Sequence, residues 1–406
     1  MIRRLLFLSL LFVVTMAIGQ TSSETAQRQL CEQGNASYDG NDIRFLGSAA
    51  EKYETMFRDI SEARRFIHLE YFRVRCDSVG SQLLQLLVQK AREGVEVRLL
   101  IDGYGNSRNA YPLTPSLLDS LQREGIQTGI FDSFRFPWVN HIHHRDHRKI
   151  VVVDGKRVYT GGMNVGDYYL TGTARSGPWR DMHVCLEGAV VDGYESVFAR
   201  MWEKVTGEHL DSLRYSSGGA LSGGKRMVLV NREPGKTSKR MRKAYRESID
   251  AAQREIRIVN PYPTNVRMVR RALKRALRRG VRVRVMASAN SDIPIVPDVV
   301  AIELRKLARK GCEVYYYEGG FHHSKLMTVD GEFCTVGTAN LDGRSMRHDY
   351  EVNVFVFDKA TTQQLDSLFD RDLKQSTLFV PQDFRKRFSL GHRMSGRVFN
   401  PLKGLF

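Results

Sequence analysis

Histidine and lysine stand two apart twice in this chain, at His147 and Lys149 and again at His323 and Lys325, each time just before an apolar run. Five positions repeat with one spacing: His147, Lys149, Asp154, Gly161 and Asn164, then His323, Lys325, Asp330, Gly337 and Asn340. On a strand, alternate side chains share a face, so each His projects beside its Lys. A neutral imidazole attacks an electrophilic centre, and a protonated one donates to a departing oxygen. Ammonium and side-chain amide groups hold the non-bridging oxygens of a phosphoryl group as charge spreads over them in the transition state. One copy provides half of such a site. Two copies provide a nucleophile, a proton donor and two fixed cations, the parts needed for phosphodiester exchange through a covalent enzyme with no metal or other cofactor.

These residues need a rigid frame, and the flanking sequence predicts one. Ser48 and Glu51 form a capping box before Tyr53, Met56, Phe57 and Ile60 at helical spacing, which predicts a helix over 49–64. A strand over 66–72, a helix over 81–92, a buried strand over 95–101, a helix over 115–124 and a strand over 126–131 follow. The later sequence repeats the order, with helices over 239–253 and 266–279 and strands over 255–260 and 281–286. EGVEVRLLID from Glu93 matches RGVRVRVMAS from Arg279, and REGIQTGIFD from Arg123 matches RKGCEVYYYE from Arg309, so the halves are duplicates of an α/β layered unit. The expected domains are 36–215 and 227–383, joined by the Gly/Ser-rich linker 216–226 and followed by a basic tail, 384–406.

The repeated H-x-K-x4-D-x6-G-x2-N pattern resembles that of the phospholipase D superfamily. NHIHHRDHRKIVVVDG, GGMNVGDYY, PWRDMHVCLEG, NPYPTN and GTANLDGRS resemble bacterial cardiolipin synthases, and the likeness runs over about 65–358. The resemblance implies two α/β/α phospholipase D-type domains packed about a pseudo-twofold axis, with His147 and His323 meeting at the seam. It implies His147 as nucleophile and His323 as general acid and base, and it counts Lys149, Lys325, Asp154 and Asp330 with the catalytic residues. Asn164 and Asn340 then bind phosphate. Asp181 and Glu351 correspond to acids that hold the histidines, without indicating which acid serves which ring. Asp154 and Asp330 also precede Gly in VDGK and VDGE, a pair favoured in tight turns, and that turn chemistry points to a structural role. The implied activity is phosphatidyl transfer between phosphatidylglycerol molecules at a membrane surface. A hydrolase, or an exported nuclease needing the same catalytic residues, is the alternative; no obligate nucleic acid and no metal is expected. His141, His143 and His144 cluster upstream, but the second copy has only His322 there.

Composition bounds the rest. A chain of 406 residues, 42% hydrophobic, is large enough for two domains with full cores, and a formal charge of +17 favours a polyanionic partner. Arg3 and Arg4 precede an apolar run over 5–19, read as a signal peptide or membrane anchor that places the body outside the cytoplasm, membrane-associated on the periplasmic face or secreted, with a cytoplasmic membrane-associated enzyme as the alternative. Five cysteines without C-x-x-C spacing give neither a zinc site nor a disulfide framework, although a Cys31 to Cys76 bridge stays open. From Gly125 to His147 is 22 positions, against 12 from Gly311 to His323. The extra residues fall near Phe134, Phe136, Pro137, Trp138 and Val139, expected either to line the mouth of the site or to fold onto their own domain. The segment 266–279 turns Val266, Val269, Leu273 and Leu277 inward and presents seven basic residues.

Overall fold

The computed structural model describes residues 20–132, 144–216, 219–264 and 266–404. The apolar run over 5–19, the segment from Phe134 to Val139, and His141 and His143 lie outside the described residues.

The first half contributes β1 (Ala36–Leu46), β2 (Phe66–Tyr71), β3 (Glu96–Asp102), β4 (Ile126–Phe131), β5 (Lys149–Val153), β6 (Arg157–Gly161), β7 (Trp179–Arg180) and β8 (His183–Gly188). The second contributes β9 (Lys225–Arg232), β10 (Glu255–Val259), β11 (Arg282–Ser288), β12 (Glu313–Tyr317), β13 (Phe321–His322), β14 (Leu326–Val329), β15 (Phe333–Gly337), β16 (Glu351–Phe357) and β17 (Ser376–Leu378). Fifteen of these strands form one sheet in the order β17, β12, β11, β10, β14, β15, β16, β9, β1, β8, β6, β5, β2, β3, β4. Apart from β17, the order reads the same from either end when each strand is replaced by its counterpart. The pseudo-twofold axis therefore passes between β9 and β1, which pair antiparallel from Ala36 opposite Leu229.

Every residue of β2 and of β5 is buried, because helices cover both faces of the sheet. Helices Ala49–Ser61 and Ser78–Arg92 bury their stripes on one face of the first half, and helices Arg240–Ala251, Arg267–Arg278 and Val296–Ala308 do so in the second. On the opposite face, Phe198 of helix Val190–Thr206 and Phe369 of helix Lys359–Leu373 belong to one apolar core that runs beneath both halves. Half of the expected capping box forms: the Ser48 side chain accepts from Glu51 N, but the Glu51 carboxylate accepts from Gly47 N at 3.0 Å, one residue before the cap; Thr114 caps a helix opened by Pro115.

Several details depart from the sequence reading. A helix over Ser22–Glu32, opened by a capping box of Thr21 and Glu24, precedes the first half but packs Ala26 and Leu30 into the core of the second. The linker is tethered where Leu221 N donates to Gly40 O at 2.8 Å, and β9 already begins at Lys225. Helix Arg267–Arg278 buries Val269 and Leu273, but its basic face is only partly free. Arg270 donates to Glu303 at 2.9 Å and Arg275 to Asp250 at 2.6 Å, because neighbouring helices bring carboxylates alongside. All five cysteines are free. The basic tail is helical through Phe399 and lies on the body.

Candidate active site

Each motif histidine is held by the half to which it does not belong. His147 N donates to Tyr350 O at 3.1 Å, and His323 N donates to Arg180 O at 2.7 Å. Beside the second contact, β7 and β13 pair in parallel across the seam, Phe321 with Trp179 and His322 with Arg180. The side chains repeat this crossing. His147 Nδ1 lies 2.9 Å from Glu351 Oε1, and His323 Nδ1 lies 2.7 Å from Asp181 Oδ2. Which acid serves which ring, open from the sequence, is thereby given by the geometry.

Both imidazoles line a single cavity of about 530 Å³ at the seam, together with Asn164 and Asn340. Phe72, Tyr168, Trp179 and Tyr262 contribute aromatic rings to its lining, and Arg73, Arg344 and Asp292 contribute charge. Lys149 and Lys325 stand beneath the histidines, and each Nζ donates to the main-chain oxygen of its own histidine, Lys149 at 2.6 Å. Their stems are buried in the sheet, where period-two alternation puts each on the same face as its His.

Burial governs the electrostatics. It pulls Lys149 down to about 7 against the carboxylate of Glu351, with Lys325 adding repulsion, and it pulls Lys325 down to about 8 against Asp181 and Glu351. Burial, reinforced by Lys149, lowers His147 to about 4 although Glu351 opposes the shift. His323 is lowered for the same reasons, by burial and Lys325 against Asp181. Burial pushes both acids up, but the adjacent cations and hydrogen bonds together hold Asp181 and Glu351 below the ordinary carboxylate range. Near neutrality the free protein therefore holds ionised acids and neutral rings. With the proton on the Nδ1 that faces the carboxylate, the Nε2 lone pair is left free in each ring.

The remaining motif residues divide. Asn164 O accepts from the buried Lys52 Nζ at 2.9 Å and from Tyr53 OH at 3.2 Å, which fixes the loop that presents its side chain. The amide oxygens of Asn164 and Asn340 are buried with no hydrogen-bond partner among the described residues, while Asn164 Nδ2 donates to Tyr169 OH at 3.3 Å, and both residues line the cavity. Asp154 and Asp330, grouped by the motif with the reacting residues, lie away from the cavity. They occupy turns with φ of 54° and 55°, and each carboxylate gathers three main-chain N–H groups. Asp154 accepts from Arg64, Arg65 and Phe66 at 2.8–3.0 Å, and Asp330 from Gln253, Arg254 and Glu255 at 2.7–2.8 Å. These bonds fasten the starts of β2 and β10 to the hairpins that carry the lysines. Gly161 and Gly337 serve close approach: a Cβ on Gly161 would meet Met182 O at 2.6 Å, and one on Gly337 would meet Val352 O at 2.4 Å.

Sequence reasoning missed Lys52 and Thr338. Lys52 falls four residues before Met56 and eight before Ile60, on the buried stripe of its helix, and a lysine on such a stripe was the available signal. The Thr338 hydroxyl donates to Glu351, and no spacing in the sequence announces that contact. Among the described residues no group of three or more side chains is gathered as metal ligands; His144 Nδ1 lies 2.9 Å from His348 O instead.

A family model described as cardiolipin synthase, PLD-like domain, matches residues 56–202 and 245–373. The probable cardiolipin synthase YwiE of Bacillus subtilis (strain 168) is 34% identical over 349 residues, covering 86% of this chain and 69% of the relative. The cardiolipin synthase of Clostridium perfringens (strain 13 / Type A) is 32% identical over 354 residues, 86% of this chain and 73% of the relative. The crystal structure of phosphatidylserine synthase from Haemophilus influenzae Rd KW20 superposes with a TM-score of 0.73 at 16% identity, covering 94% of this chain and 99% of that one. At that identity the match bears on the fold alone.

Proposed function

Because the chain belongs to the phospholipase D superfamily, in the cardiolipin synthase family, we propose that it is a phosphatidyltransferase that moves a phosphatidyl group from one phosphatidylglycerol to a hydroxyl of another. The observation that carries this reading is one cavity containing two imidazoles, each bound through Nδ1 to a carboxylate from the opposite half, above two buried lysines.

In the first step Nε2 of His147 attacks phosphorus, the bond to the glycerol oxygen breaks, and His323, protonated in the loaded site, donates to that oxygen. Glycerol leaves, and a phosphohistidine remains. In the second step His323 takes the proton from a hydroxyl of a second phosphatidylglycerol, whose oxygen attacks phosphorus and restores His147. Cardiolipin and glycerol are the products. Lys149, Lys325, Asn164 and Asn340 hold the non-bridging oxygens, whose negative charge compensates the buried ammoniums. Asp181 and Glu351 fix the tautomers, and Asp154 and Asp330 maintain the frame.

An anionic lipid substrate accords with the formal charge of +17. The apolar run over 5–19 supports an exported protein held at a membrane; among the described residues no helix is long and apolar enough to cross one. The test is incubation of the purified protein with phosphatidylglycerol in mixed micelles, with and without chelator, followed by thin-layer chromatography, with DNA and RNA assayed in parallel. Cardiolipin and glycerol, insensitive to chelator, are expected. Phosphatidic acid alone would make water the acceptor, and cleavage of nucleic acid without lipid turnover would overturn the assignment.

A further inference from the structure

Helix Leu390–Phe399 turns an apolar face outward while its other side is built into the body. Gly396 lets it lie against helix Val296–Ala308, since a Cβ there would stand 2.4 Å from Asp298 O. His392 Nδ1 meets Asp298 at 2.7 Å, Asn400 donates to Glu303 at 2.9 Å, and Lys403 pairs with Glu303 at 2.7 Å. This is an anchored helix. On its free side Leu390, Met394 and Val398 recur every fourth residue and are 64%, 56% and 65% exposed, and Leu402, in the 3-10 turn that follows, is 48% exposed. Such a stripe at 3.6-residue periodicity normally seeks an apolar partner.

The surroundings specify the partner by charge. Arg305, Arg309 and Arg397 line a groove beside Pro401, and Arg385 and Arg393 stand close enough that, with burial, they and the other two arginines lower Arg305 below its ordinary value. From Pro401 a second groove continues past Arg267 and Arg347 to Gly343. The same short helix, Gly343–Arg347, gives Arg344 and Ser345 to the catalytic cavity. Ile293, 40% exposed, also lines that cavity three residues before the helix that seats the stripe. Basic surface therefore runs from the cavity to the stripe. A second copy of the chain would bring like charge against like charge, whereas an anionic bilayer offers phosphates at the surface and acyl chains just beneath.

We propose that this face docks on an anionic phospholipid bilayer, the stripe entering the boundary between headgroups and acyl chains and the arginines meeting phosphates, so that the cavity faces the membrane. The docking stands on the surface itself; only the delivery of substrate to the cavity rests on the phosphatidyl-transfer reading.

The test uses the full chain and two local changes. Val398→Trp adds a tryptophan to the stripe, and vesicles of brominated phosphatidylglycerol are expected to quench it beyond the parent's own tryptophans. Leu390→Ser with Met394→Ser and Val398→Ser is expected to lower partition onto vesicles of phosphatidylglycerol and phosphatidylcholine at least about tenfold. Arg393→Glu with Arg397→Glu should abolish the preference for those vesicles over phosphatidylcholine alone. Both multiple variants should melt with the parent and transfer short-chain, monomeric phosphatidylglycerol within about twofold of it. No added quenching together with unchanged partition overturns the docking face, as does a parent that sediments as a dimer and a serine variant that sediments as a monomer. If short-chain transfer is absent from the parent while quenching and partition behave as expected, the docking face stands and the transferase reading falls.

Discussion

Glu351 and His147 are separated by 204 residues in the chain and by 2.9 Å in the fold. The mirrored contact, Asp181 with His323, spans 142 residues at 2.7 Å. Each half thus owns a histidine and a lysine but borrows the acid that orients its ring. On the proposed mechanism, replacing Glu351 by Gln removes the charge that stabilises the imidazole as it loses electrons to phosphorus, and a fall in kcat of about 10²-fold or more is expected, within the range for general acid–base groups. The loss should fall on the formation of the phosphohistidine, whereas Asp181→Asn should slow its transfer to the acceptor as well. Rapid-quench labelling of the covalent intermediate separates the two. Equal effects of both variants on both steps would remove the division of roles between His147 and His323.

The buried lysines make a statement about pH. A lysine is a cation only below its pKa, so with Lys149 at about 7 and Lys325 at about 8 the free enzyme loses first one and then both of the charges proposed to hold phosphate as pH rises through that interval. His147, at about 4, stays neutral and nucleophilic throughout. kcat/KM for short-chain phosphatidylglycerol should therefore fall on the alkaline side from about pH 7, and its acid limb should not come from His147 above about pH 5. Bound phosphate favours the ammonium form, which moves the alkaline limb of kcat upward relative to that of kcat/KM. A kcat/KM that is flat to pH 9 would contradict this assignment of charge.

Much of the frame was legible because it is local. Strand β5 announces itself as an apolar run, and the paired spacing of His and Lys places both on one face without any knowledge of the fold. What the sequence concealed is either long-range or disguised. No periodicity connects Asp181 to His323. β1 reads ASYDGNDIRFL, with Asp, Gly and Asn where a turn would be called, and it is a strand only because β8 and β9 pair with it on either side of an irregularity between Tyr38 and Asn41. Helix Ser22–Glu32 has a capping box but just two apolar residues at its core face, Ala26 and Leu30, so polar composition masked it. Lys52 was obscured by its own type, since lysine is read as solvated until its stripe is counted.

The turn aspartates should separate stability from chemistry. Asp154→Ala removes a carboxylate acceptor from three main-chain N–H groups and leaves alanine at a φ of 54°. Hydrogen bonds to charged groups contribute about 1.5–3 kcal/mol each and are not additive, so a loss on the order of 3 kcal/mol is expected. Asp154→Asn keeps a side-chain oxygen and tolerates the left-handed region, and should lose less than half as much. The same ordering is expected at Asp330, and denaturant melts measure both. kcat per folded molecule, measured well below the midpoint, should change less than about threefold, far below the 10²-fold or more expected of a reacting group. A loss comparable to that of His147→Asn at unchanged stability would return these aspartates to the reacting set.

Lys52 tests whether positioning extends a layer beyond the cavity. Its side chain is fully buried, and burial lowers it to about 7 even though Asp181 opposes the shift. Its Nζ donates to Asn164 O at 2.9 Å, on the loop whose amide faces the cavity. Lys52→Met preserves length and apolar volume but leaves that carbonyl with only the Tyr53 hydroxyl, so the loop loses one of its two side-chain tethers without losing a cavity-lining group. A displacement of about 1 Å caused by a change away from the chemistry can cost about 10²-fold, so a loss of about 10–100-fold is expected. The loss is expected in kcat with KM nearly unchanged, because on the proposed mechanism Asn164 would meet the transition-state oxygen less well while the rest of the cavity lining is unaltered. Lys52→Arg, too large for the space, should not restore activity, whereas Asn164→Ala in the Lys52→Met background should cost less than it does alone, since the two changes remove one function. Full additivity of the two would mean that Lys52 acts on the fold as a whole and not through Asn164.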